Sequence, residues 1–242
     1  MNPALASPRP RGPLAAFGTA LLDLLYPPRC AACGDGVPTS AAPFCAVCAG
    51  AIDPAPPGCP RCGQPGPAEP CGACLLHPPA FLEVRAGALF GGPLADAVHR
   101  LKYRDRPALA RPLGRWLAGR LALPPGAVLV SVPLGRERRL ARGYDQAALL
   151  AAALARAAGD GARRLPGALR RTRETPPQVG RGRPERSRNV AGAFEAAPAV
   201  RGQDLFLVDD VVTTGATADA CARALLAAGA RSVRVVALAR AE

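Results

Sequence analysis

The chain has 242 residues, room for one medium-sized domain and a small accessory unit, and 49% of them are hydrophobic, enough to close a core. Aromatic residues make up only 4%, which argues against a surface built from base-stacking platforms. The net charge of +13 is concentrated: Arg136 to Arg142 hold four arginines and one glutamate, Arg163 to Arg188 nine arginines and two glutamates, and the remainder is nearly balanced. Localised positive charge suits a polyanionic partner, either a pyrophosphate-bearing ligand or nucleic acid, although any single arginine is first of all a solvated surface group.

Residues 1–27 form a Pro/Ala-rich N-terminal segment. Its apolar stretch "LAAFGTALLDLLY" (14–26) contains Asp23, is too short to span a membrane and is followed by no signal-cleavage pattern. It reads as a short helix that packs on the next unit, and the chain is expected in the cytoplasm without a membrane span.

Eight of the nine cysteines lie in residues 28–78 as four CxxC pairs: Cys30/Cys33, Cys45/Cys48, Cys59/Cys62 and Cys71/Cys74. Each pair offers two thiolates that converge on one tetrahedral ion, so four pairs imply two closed structural zinc sites of four cysteines each. Disulfides would require an oxidising compartment, for which no export signal speaks. The two ions would be held sequentially, by Cys30, Cys33, Cys45 and Cys48 and then by Cys59, Cys62, Cys71 and Cys74; spacing also allows an interleaved set. The rest of this unit is rich in Pro, Gly and Ala, so metal binding would supply its folding free energy. Cys221 falls on an apolar helical face and reads as core.

From residue 79 to 242 strand-like and helix-like patterns alternate. Residues 81–90 read as a strand, 93–122 as two helices parted near Pro107, 127–134 as a buried strand and 143–159 as a helix. Residues 172–189, "TRETPPQVGRGRPERSRN", have no apolar period and read as a mobile loop; 232–240 read as the last strand. Such alternation gives a parallel sheet covered on both faces, with ligands at the carboxyl ends of its strands. Loops 134–145, 172–189 and 209–217 converge there.

The most informative stretch is "LFLVDDVVTTGATADA" (205–220). A buried strand runs into Asp209 and Asp210, and a helix begins after Gly215. Thr213, Thr214 and Gly215 sit where free amide N–H groups and the positive helix end attract phosphate. Two carboxylates beside an anion site need another partner. A ribose diol fits, and so does Mg²⁺ accompanying a phosphorylated ligand. The pair therefore reads as ligand-binding rather than core, dispensable for the fold. Lys102, the only lysine among 31 basic side chains, is expected to meet a phosphate, an acceptor or a buried carboxylate, since an ammonium is more compact than a guanidinium.

"VDDVVTTGAT" resembles the 5-phosphoribosyl-1-pyrophosphate (PRPP) signature of type I phosphoribosyltransferases. Together with the four cysteine pairs, "LKYRDRPALARPLGRWLA", "VPLGRERRLARGYDQAALLA" and "RRTRETPPQVGRGRPERSRNVAGAF", it is similar to ComF-family proteins, which are linked to natural competence and DNA uptake. Asp145 departs from the asparagine frequent in that family.

The resemblance implies an α/β type I phosphoribosyltransferase fold behind a double zinc ribbon, with displacement of pyrophosphate from Mg-PRPP by an unknown acceptor. It implies catalytic roles for Asp209, Asp210 and Arg186. PRPP would be held by Asp209, Asp210, Val211, Thr213, Thr214, Gly215, Ala216 and Thr217, and its pyrophosphate by Pro133, Leu134, Arg136, Arg139, Arg142 and Lys102. Arg181, Arg183 and Arg186 would close as a lid. The cofactors would be two structural zinc ions, and Mg²⁺ with PRPP. A non-catalytic PRPP sensor, or a protein that handles single-stranded DNA alongside competence proteins, are the rival readings.

Overall fold

The computed structural model describes residues 27–39, 42–103, 106–173, 190 and 192–241. The N-terminal helix expected at 14–26 and the lid arginines Arg181, Arg183 and Arg186 lie outside the described residues.

The cysteine-rich unit is one small motif used twice. Antiparallel bridges join Arg29 to Gly36 and, 29 residues later, Gly58 to Pro65. In each turn the second cysteine is followed by a glycine at positive φ, Gly34 at 93° and Gly63 at 66°. Its N–H donates to the carbonyl of Cys30 (3.1 Å) or Cys59 (2.9 Å), which closes the knuckle. Short helices α1 (Ala46–Gly50) and α2 (Gly72–Leu76) follow, with Cys45 and Cys71 at their N-caps.

A linker leads into the larger unit. The Ala80 N–H donates to the Asp219 carboxylate at 2.6 Å and the Leu82 N–H to the Val233 carbonyl at 2.8 Å, while Phe81 is buried. Strand β1 (Val84–Leu89) precedes helix α3 (Gly92–Tyr103), a single 3-10 turn at Pro107–Leu109 and helix α4 (Ala110–Ala118). Then come β2 (Val128–Ser131), α5 (Arg136–Arg142), α6 (Gln146–Ala158) and β3 (Arg163–Arg164). A small hairpin pairs β4 (Leu169–Arg171) with β5 (Phe194–Ala196); β6 (Asp204–Val212), α7 (Ala216–Ala227) and β7 (Ser232–Arg240) complete the unit.

Five strands form one parallel sheet in the order β1-β7-β6-β2-β3. Its central strands are apolar on both sides because both faces are covered. Phe206, Val208, Val236 and Leu238 pack under α3, α4 and α6, whereas Leu205, Leu207, Val233 and Val235 pack under α7 and the β4–β5 hairpin. The cysteine unit guards the edge strand β1, which would otherwise offer open hydrogen-bonding groups. The Leu89 N–H donates to Asp53 at 3.0 Å, and Cys30, Ala31, Val37 and Phe44 join the core beneath α3 and α4. There the Phe44 ring meets Trp116 edge-on at 5.8 Å.

Three segments differ from expectation. The arginine-rich loop after β2 is a helix, α5, capped by Gly143 in the left-handed region. Strand β6 continues four residues past the apolar run, so the acidic pair lies within it rather than beyond its end. The hairpin β4–β5 was not expected, because three-residue strands give too short a period to read.

Candidate functional site

The eight paired cysteines gather into two sets, Cys30, Cys33, Cys45 and Cys48, and Cys59, Cys62, Cys71 and Cys74; within each, all sulfur atoms lie within 4.8 Å of one another. The grouping is sequential rather than interleaved. Four thiolates at ~2.3 Å from a tetrahedral zinc stand ~3.8 Å apart. The Cys33–Cys45 and Cys62–Cys71 sulfurs are separated by 3.8 and 3.7 Å, so the clusters fit structural zinc.

The two sets also share their electrostatics. Burial opposes ionisation of Cys30 and Cys59, but amide and thiol donors around their sulfurs prevail and hold both at about 6. Burial pushes Cys48 and Cys74 up to about 12, and a cation is what would let all four thiols ionise together. Cys221 is fully buried in α7 and burial raises its thiol well above the usual range, so it is a core side chain.

At the carboxyl ends of the strands, Asp209 and Asp210 are neighbours in β6 and therefore point to opposite sheet faces. Asp210 faces the side covered by α3 and is 3% exposed. Its Oδ1 accepts from Lys102 Nζ at 2.8 Å, while Oδ2 is buried with no partner among the described residues. A buried carboxylate oxygen left open is costly and suits a ligand hydroxyl or a cation. Lys102 reaches Asp210 because α3 starts beside β1 and its last turn has crossed to β6, two strands further in. Tyr144 fixes that turn through a hydroxyl bond to the Leu101 carbonyl. Asp210 is thus a buried, ion-paired side chain, where sequence reading took the pair as ligand-binding rather than core.

Asp209 faces the α7 side. Its Oδ1 accepts the Asp210 N–H at 2.8 Å. Burial, and then the neighbouring Asp210 charge, push its carboxyl up to about 8, against the pull of Lys102. A raised carboxyl pKa means the folded state keeps a proton that the unfolded chain loses near the ordinary value of about 4. This group therefore lowers stability progressively as pH rises from about 4 to about 8. The slope can reach ~1.4 kcal/mol per pH unit for one proton. Urea titrations across this range should show a shallower decline for Asp209→Asn than for wild type; parallel curves would exclude the shift.

The loop after β6 turns sharply. Gly215 takes φ 77° at the N-cap of α7, and a Cβ there would stand 3.5 Å from the Phe81 ring. The Thr214 hydroxyl accepts the Ala216 N–H at 3.4 Å. Val211 and Val212 close the strand; Thr213 to Thr217 wrap the start of the twelve-residue helix α7, where amide groups and the helix dipole favour an anion.

The segment after β2 is organised by Asp145, which sequence reading treated only as a departure from asparagine. One carboxylate oxygen accepts the Ala148 N–H at 2.9 Å and caps α6; the other accepts the Leu134 N–H at 3.1 Å, beside Pro133. Asparagine could supply only one of these acceptors with its carbonyl oxygen. Asp145→Ala should lower stability by about 1–2 kcal/mol through the lost cap, read as a reduced urea midpoint at unchanged slope.

Arg142 donates to Gln146 and lies 5.2 Å over the Tyr103 ring, beside Lys102; Arg136 and Arg139 are exposed on α5. The structure thus brings Lys102 and Arg142 to the acidic pair's side of the sheet end and leaves Arg136 and Arg139 facing solvent. Arg186 lies outside the described residues. Sequence reading missed Asp145 as a cap, although an Asp directly before an apolar helical period is that signal. It also missed Arg240, the charged last residue of β7, which follows the buried apolar run Val235 to Ala239.

Two family models match: a double zinc ribbon domain over residues 21–75 and a phosphoribosyl transferase domain over residues 145–242. The chain is 36% identical over 206 residues to the DNA utilization protein YhgH of Salmonella typhi, covering 81% of this chain and 90% of that one. It is 36% identical over 211 residues to the YhgH of Escherichia coli K12, with the same coverage. Against competence protein F of Haemophilus influenzae it is 31% identical over 199 residues, 75% of this chain and 85% of the relative. With a zinc-ribbon pair in front of a type I phosphoribosyltransferase-like sheet, and relatives matched over most of their length, the chain belongs to the ComF family.

Proposed function

We propose that this chain binds Mg-PRPP at the carboxyl end of β6 and displaces its pyrophosphate with an acceptor. The observation that supports this most is the junction of β6 and α7: the threonine-glycine turn sits at a helix start two residues after two carboxylates, one of which keeps a buried oxygen without a partner among the described residues. In this reading Thr213, Thr214, Gly215, Ala216 and Thr217 cradle the 5′-phosphate. Asp209 and Asp210 take the ribose hydroxyls, with the Asp210 Oδ2 as one acceptor. The backbone at Pro133 and Leu134, with Arg142 and Lys102, faces the pyrophosphate, and Arg136, Arg139 and Arg186 approach as the site closes.

Mg²⁺ enters with the ligand and offsets the charge of the departing pyrophosphate. The arginines stabilise the same developing charge, the kind of preorganised electrostatic contribution that dominates many such reactions. Two zinc ions hold residues 28–78 as a ribbon pair against residues 79–242, in a cytoplasmic setting that keeps the thiols reduced.

Incubation with Mg-PRPP and pooled metabolites, followed by mass spectrometry, tests the transferase reading. A ribosylated product appearing with stoichiometric pyrophosphate supports it; saturable PRPP binding with no product would leave a PRPP sensor. The exposed arginines of α5, and the name "DNA utilization protein" carried by the YhgH relatives, favour single-stranded DNA as a second ligand.

A further inference from the structure

Arg240 ends β7 and is 3% exposed. Burying a guanidinium is expensive unless its donors are satisfied, and here they reach three separate segments. Nε donates to the Cys62 carbonyl at 3.0 Å, Nη2 to Gln64 Oε1 at 2.6 Å, and Nη1 to the Val212 carbonyl at 3.2 Å and to the Ala241 carbonyl. Cys62 belongs to the second cysteine cluster, and Gln64 follows the glycine that closes its knuckle. Val212 is the last residue of β6, directly before Thr213. The backbone repeats the link: the Ala241 N–H donates to the Val212 carbonyl at 2.9 Å.

We infer that Arg240 is a positioning residue that makes the second metal knuckle part of the ligand site: metal at Cys59, Cys62, Cys71 and Cys74 fixes Cys62 and Gln64, these hold the guanidinium, and the guanidinium holds the end of β6 from which the Thr213–Thr217 turn departs. A divalent ion with four thiolates carries a net charge of about −2, which further favours a cation against this knuckle. Lysine cannot replace the fork, because its ammonium is a point donor whereas guanidinium spans several acceptors in one plane. The PRPP-specific consequence rests on the proposed function; the mechanical link does not.

The test uses full-length, zinc-loaded protein. Amide exchange of residues 209–217 is followed by mass spectrometry, without PRPP, in wild type, Arg240→Lys, Cys74→Ser and the double variant. Leu154→Ala, a buried site in α6, serves as a control for general destabilisation. Exchange in 209–217 should quicken at least tenfold in Arg240→Lys and in Cys74→Ser while that of β2 stays near wild type, quicken together with that of β2 in Leu154→Ala, and quicken no further in the double variant, because both changes break one linkage.

Independent, multiplying effects of the two substitutions would overturn the link, as would unchanged exchange in Arg240→Lys. Mg-PRPP titration of the same proteins separates the two ideas. Loosening of 209–217 in a protein that never binds PRPP keeps the link and removes the PRPP reading. Tight PRPP binding with no loosening removes the link alone.

Discussion

Asp210→Ala should destabilise the protein by about 2–4 kcal/mol, lowering its melting temperature by roughly 5–15 °C. The substitution leaves Lys102 without the carboxylate 2.8 Å from its Nζ, in a setting where that side chain is only 22% exposed. The lower part of the range for broken buried pairs applies because Lys102 keeps some contact with water. Lys102→Met should also lower stability, because it leaves the buried Asp210 carboxylate without its ion-pair partner. Combining the two should recover much of the loss, because removing both members of a buried pair removes the stranded charge. Lys102→Arg should resemble Lys102→Met rather than wild type, because a planar guanidinium is larger than the compact ammonium it replaces. Thermal melts of the four variants check the series; an additive double variant would show that the pair is not coupled.

Removal of zinc should have the largest effect of all. Structural zinc contributes about 10–16 kcal/mol of binding free energy in small isolated ribbons, and residues 28–76 have a small apolar core: the cysteines, Ala31, Ala32, Val37 and the packing of Phe44 on Trp116. Purified under reducing conditions, the protein should carry two zinc ions per chain and release both when its thiols are titrated with a mercurial. The stripped protein should then expose β1, whose Leu89 amide is held by Asp53 of the ribbon unit, and aggregate along that open edge. Elemental analysis with about one zinc, or a stripped protein that stays monomeric with an unchanged melt, would contradict this.

The sheet and the ribbon pair were legible because their signals are local. A CxxC knuckle is written in five residues, and the strands of a parallel sheet appear as apolar runs with helical periods between them. Asp209, Asp210 and the turn at Gly215 were legible for the same reason, since all lie within ten residues of one strand–loop–helix junction. What could not be read depends on residues far apart in the chain. That Lys102 lies against Asp210 follows from α3 crossing two strands, and no period in the sequence records such a crossing. The expectation of a compact cation near a buried carboxylate anticipated the chemistry but could not choose among three possible partners. Arg240 reaches back 178 residues to Cys62, and Asp145 divides its two oxygens between a helix cap and a backbone amide eleven residues away. The helix α5 was hidden by function: four arginines in seven residues look like an anion-binding loop, yet arginine is also a good helix former.

The central claim is that β6 and the turn after it bind a phosphoribosyl pyrophosphate. Calorimetric titration of zinc-loaded protein with PRPP in the presence of Mg²⁺, beside a titration with Mg-pyrophosphate alone, tests it most directly. Saturable binding of one PRPP per chain, at least tenfold tighter than pyrophosphate, is expected, with loss of that preference in Asp209→Asn. Equal affinity for the two ligands, falling together as salt is raised, would show that the arginines merely attract polyanions and would contradict it.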